Sequence, residues 1–121
     1  MESSIIGFSR GDASAKTFKA VNPAKNASID VNYAMASEEE VDEACRLASD
    51  AAFEMAQFSG NRKAEFLNEL ADGVDGIVED LVSVMIAETG LPEPRVRAET
   101  SRTSGQLRMF ARLVEAGHWV D

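Results

Sequence analysis

Four groups of residues have types and spacing that could do chemistry. Cys45 is the single thiol of the chain and His118 the single imidazole. A reactive thiolate needs a nearby cation or a helix N-terminus. Cys45 instead follows Glu38, Glu39, Glu40, Asp42 and Glu43, a setting that disfavours a thiolate, so it reads as structural or incidental. His118 has no identifiable nucleophile to serve as general base and reads as a helix-end histidine. The five acids could attract a divalent cation, but calcium sites draw their oxygens from a loop bent at Gly. They read as a solvated helix start. One Cys and one His build neither a zinc site nor most nucleophilic triads. The residues therefore assign no catalytic, cofactor-binding or metal-binding side chain.

The fourth group is a polar strip. Glu99, Arg102 and Gln106 follow one another at steps of three and four residues, which places them on one side of a helix. Thr100 and Thr103 fall in the apolar stripe beside them, where buried hydroxyls need hydrogen-bond partners. A helix face bordering a substrate channel shows this pattern. So does a solvated flank carrying a Glu99–Arg102 pair. No GxGxxG and no Gly-Lys-Ser/Thr ending occurs, so no nucleotide is held by a recognisable phosphate loop.

The elements that would position these groups change character near Ala36. Before it, Ile5-Ile6-Gly7-Phe8-Ser9, Thr17-Phe18-Lys19-Ala20-Val21 and Ser28-Ile29-Asp30-Val31-Asn32-Tyr33 alternate with turn formers at Arg10-Gly11-Asp12-Ala13-Ser14 and Asn22-Pro23. They predict two or three short strands, with Ile29, Val31 and Tyr33 on one face. A sheet this small is marginal alone.

After Ala36 the pattern is helical. Ser37 with Glu40 forms a capping box, followed by Val41, Ala44, Ala48, Ala51, Ala52, Met55 and Phe58 at helical spacing, and Ser59-Gly60-Asn61 breaks the helix. A second helix from near Arg62 carries Phe66, Leu67, Leu70, Ala71, Val74, Ile77 and Val78. Gly73 and Gly76 weaken it unless close packing compensates. Asp80 caps a third helix with Leu81, Val82, Met85 and Ile86, which Gly90 and Pro92 stop. Pro92 or Pro94 opens a fourth with Val96, Leu107, Phe110, Ala111 and Val114, which Gly117 ends. The predicted class is α+β: short strands over residues 1–36 and a helical layer over 37–121.

Composition narrows the partners. The 121 residues hold 12 Lys plus Arg against 21 Asp plus Glu, a net charge of −9. Phosphate backbones and anionic membrane surfaces demand the opposite sign, so neither nucleic acid nor membrane is an expected partner. No apolar run reaches the ~20 residues of a span, and Met1-Glu2-Ser3-Ser4 opens no secretory signal. The expected compartment is the cytoplasm. Composition and spacing alone reach a soluble acidic domain.

The order of several segments goes further. Phe18-Lys19-Ala20-Val21-Asn22-Pro23-Ala24, Ala36-Ser37-Glu38-Glu39-Glu40-Val41-Asp42-Glu43-Ala44 and Ala51-Ala52-Phe53 come first. Arg62-Lys63-Ala64-Glu65-Phe66-Leu67, Leu70-Ala71-Asp72, Glu88-Thr89-Gly90-Leu91-Pro92 and Gln106-Leu107-Arg108-Met109-Phe110-Ala111 follow. As an ordered set they resemble the N-terminal part of the aldehyde dehydrogenase superfamily. The segment from Glu99 to Arg108 resembles the branch of α-ketoglutaric semialdehyde (2,5-dioxovalerate) and NADP-dependent fatty aldehyde dehydrogenases. The resemblance implies oxidation of an aldehyde to an acid through a Cys thiohemiacetal, with hydride passing to NAD or NADP and a Glu as base.

This chain departs from that plan. The family's catalytic Cys, base Glu, oxyanion Asn, nucleotide turn and oligomerisation strands come later, and Cys45 is not the nucleophile. The expectation is a truncated dehydrogenase, part of an α/β fold whose catalytic and Rossmann cores are absent. It would bind no cofactor and be inactive alone. Its partners would be the rest of the enzyme chain and, in the whole enzyme, a small aldehyde. Its exposed apolar helix faces would self-associate. In the family the fourth helix borders the substrate tunnel, which implies Arg102 as a partner for a substrate carboxylate. The rival expectation is a stand-alone helical interaction module descended from such an enzyme.

Overall fold

The computed structural model describes residues 2–12 and 16–118; residues 13–15, within the expected turn after Arg10, and 119–121 lie outside that description. The chain divides between Ala56 and Gln57 into two compact units.

In the first unit each expected strand run breaks in two. β1 (Ile5–Ile6) and β2 (Ser9–Arg10) form a hairpin whose two-residue loop is Gly7-Phe8. β3 (Thr17–Phe18) pairs with β6 (Tyr33–Ala34), and between them β4 (Val21–Asn22) pairs with β5 (Ala27–Ser28), all antiparallel. These four make one long, interrupted hairpin, and Ile29 N–H donates to Ala20 O between the inner and outer pairs. Its turn is built by Asn22, whose Oδ1 accepts from Ala24 and Lys25 N–H at 3.0 Å each. That side-chain mimicry of a backbone turn is the reason for Asn before Pro. Ile29, Val31 and Tyr33 are half-buried while Asp30 and Asn32 are exposed, as the period of two predicts. Phe18 stacks on Tyr33 at 5.6 Å between centroids.

α1 (Glu38–Ala56) starts as the capping box demands. Glu40 N–H donates to Ser37 Oγ at 3.2 Å, and Ser37 N–H donates to Glu40 Oε2 at 2.9 Å. The other Glu40 oxygen accepts from Asp12 N–H at 2.6 Å and ties the β2 exit to the helix. α1 buries none of its residues, so its apolar stripe is not core in this chain. Phe58, expected on that stripe, lies beyond the helix, with the Arg62 guanidinium 3.7 Å above its ring.

The second unit is three helices. α2 (Gly60–Gly76) begins two residues earlier than expected, capped by Ser59, whose hydroxyl accepts from Arg62 N–H. α3 (Val78–Thr89) starts from Ile77, and Asp80 sits inside its first turn instead of at the cap. α4 (Glu93–Ala116) follows Pro92, with Pro94 in its first turn. Gly90 and Gly117 close α3 and α4 at φ 68 and 69, a backbone conformation that costs residues with a Cβ.

The core of this unit differs from the large-residue stripes predicted above. α4 packs on α2 and α3 through Ala64, Ala71, Val82, Val96, Thr100, Ser104 and Ala111. Phe66, Leu70, Ile77, Met109, Phe110 and Leu113 are exposed. Small side chains let helix backbones approach, and a Cβ on Gly60 would meet the Val114 carbonyl. Gly73 and Gly76 face open space instead, so no packing among the described residues offsets their helix cost.

Candidate functional site

α4 carries the residues that the sequence singles out, and ion pairs fix its setting. Arg97 forks onto Glu79 of α3 with both N–O distances 2.9 Å, and its Nε donates to Glu93 at 2.7 Å. Arg108 bridges to Asp72 and Asp75 of α2 at 2.6 and 2.8 Å. The Ser104 hydroxyl and Arg108 hold the Asp75 carboxyl below the usual carboxylate range, and Arg97 does the same for Glu79. Sequence reading missed both clamps. The signal was there in acids spaced three apart on α2, but only the packing selects which arginine meets them.

Within α4 the buried hydroxyls are satisfied by the helix itself. Thr100 Oγ1 donates to Arg97 O at 2.9 Å, and Ser104 Oγ donates to Ser101 O at 3.3 Å. Thr103, expected on the apolar stripe, is exposed and donates to Glu99 O. Among the described residues no buried side-chain nitrogen or oxygen lacks a partner.

Arg102 is exposed, and Glu99 does not pair with it. Glu99 pairs with Arg95 at 2.6 Å, so the expected Glu99–Arg102 pair is replaced by a bond one turn earlier. Arg102 keeps its guanidinium free of ion pairs among the described residues. The steps of three and four continue past Gln106 to Met109 and Leu113. Arg102 therefore belongs to a seam whose far end is apolar and exposed.

The remaining candidates do not gather into a site. Cys45 is exposed on α1. His118 is exposed beyond the C-cap of α4. Among the acids, Glu40 is committed to backbone N–H groups and Glu43 to Arg46 at 2.7 Å. No His, Cys, Asp and Glu grouping among the described residues could hold a metal ion. No described helix is long and apolar enough to cross a membrane. An open groove of about 860 Å³ lies between the β1–β2 hairpin and α1, lined by Phe8, Leu47, Ala51 and acids of α1.

Known proteins with this pattern are larger. The chain is 37% identical over 117 residues to alpha-ketoglutaric semialdehyde dehydrogenase 2 of Azospirillum brasilense, covering 96% of this chain and 22% of that protein. It is 33% identical over 113 residues to alpha-ketoglutaric semialdehyde dehydrogenase of Acinetobacter baylyi, covering 93% and again 22%. The chain thus spans about a fifth of the length of these relatives. Its fold matches aldehyde dehydrogenase 21 from Physcomitrella patens, whose crystal structure holds the reaction product succinate. The TM-score is 0.81 at 20% identity, over 92% of this chain and 23% of that one. The fold is a fragment of that larger fold. The aldehyde dehydrogenase family model matches residues 10–119, nearly the whole sequence, and the chain belongs to that family.

Proposed function

We propose that this chain is the N-terminal segment of an NAD(P)-dependent aldehyde dehydrogenase that oxidises α-ketoglutaric semialdehyde to the dicarboxylic acid, and that it is inactive without the rest of that enzyme. The observation that carries this reading is the identity of 37% and 33% to two relatives of that name, each over only 22% of their length.

The residues present do not fit a dinucleotide. The first turns of α1, α3 and α4 carry Glu38, Glu39, Glu40, Glu79, Asp80 and Glu93, which repel a pyrophosphate. The start of α2 is occupied by the Ser59 hydroxyl and faces the Val114 carbonyl. In this reading the cofactor, the thiolate and the base belong to the rest of the enzyme, which supplies hydride transfer and the chemistry at the carbonyl.

The role left to this chain is positional. Among the described residues Arg102 is a cation of the α4 seam without an ion pair, and a semialdehyde with a distal carboxylate offers it a charge-assisted hydrogen bond. Such a bond contributes roughly 1.5–3 kcal/mol, or about 10- to 150-fold in kcat/KM.

The test is a chimera in which residues 1–121 replace the matching fifth of the Azospirillum enzyme. NAD(P)H formation with α-ketoglutaric semialdehyde is expected from the chimera and not from the chain alone. Turnover by the chain alone, or a folded chimera without turnover, would overturn the proposal. In an active chimera, Arg102→Ala is expected to lower kcat/KM for the carboxylate-bearing substrate about 10- to 150-fold and to leave an uncharged aldehyde unaffected. Equal values for both substrates before and after the change would remove Arg102 from substrate binding. The rival module reading predicts a cooperative fold or a stable homo-oligomer for the isolated chain.

A further inference from the structure

We draw no further inference here: the strongest candidate, the open groove between the β1–β2 hairpin and α1 lined by Phe8, Leu47, Ala51 and Glu54, is an unpartnered apolar face, and nothing in the structure shows what covers it.

Discussion

Asp75 lies against Ser104 and accepts from Arg108, Glu79 accepts from Arg97, Glu43 from Arg46 and Asp30 from Lys19, and each carboxyl is held below its ordinary value. A carboxyl whose pKa is lower in the folded chain contributes stability fully above the unfolded value, about 4. That contribution is lost as pH falls through the folded value. Thermal melts are therefore expected to change little between pH 7 and 5 and to drop below about pH 4. Arg108→Ala should flatten the acid limb, because Asp75 then titrates nearer its unfolded value. An unchanged Tm at pH 3, or an unaltered acid limb in the variant, would show that these pairs do not hold the fold. All of them are exposed, so salt should weaken the effect.

At the scale of the element, caps and seams can be separated by substitution. Ser37→Ala removes one half of the capping box and is expected to destabilise the first unit by about 1 kcal/mol, read from urea unfolding of the isolated chain. The glycines of α2 should respond with opposite signs. Gly60→Ala pushes a Cβ into the Val114 carbonyl and should cost about 1–3 kcal/mol in spite of alanine's better helix propensity. Gly73→Ala meets nothing within 4 Å and should stabilise the chain by up to about 1 kcal/mol. The same Gly73→Ala change in the dehydrogenase chimera should be neutral or harmful, since Gly73 lies on the exposed stripe of Phe66, Leu70 and Ile77. Stabilisation of equal size in both settings would mean that nothing packs on that stripe. Val96 is fully buried where α4 meets its neighbours, and Val96→Ala should cost about 2 kcal/mol.

At the scale of the whole molecule, large apolar side chains stay in water in both units: Phe8 is entirely exposed, Phe53 is 75% exposed, and Phe66, Phe110 and Leu113 stand half in water. Patches of this kind mark contact surfaces. The isolated chain is expected to bind ANS and to self-associate with rising concentration. Phe53→Glu should raise its solubility with little change in Tm, yet impair folding of the chimera. An ANS-silent monomer with a sharp transition would instead favour the self-sufficient module.

The sequence by itself determined the local structure. The Ser37–Glu40 box, the Asn22 turn, the Gly90 and Gly117 stops and the period of two over Ile29 to Tyr33 are satisfied within a few residues, so their signals sit side by side in the chain. The ordered segments also carried the family, since they match relatives over nearly all of this chain. What only tertiary structure decided was which apolar residues form the core and which charges meet. Hydrophobic periodicity marks a face without saying whether that face has a neighbour. Here the small residues Ala64, Ala71, Thr100 and Ser104 close the α2–α4 seam because they permit close backbone approach. The large ones, Phe66, Leu70 and Phe110, point away from it. The pairing of Arg108 with Asp72 and Asp75 spans more than thirty residues of sequence, and no local spacing encodes a contact that the antiparallel docking of two helices creates.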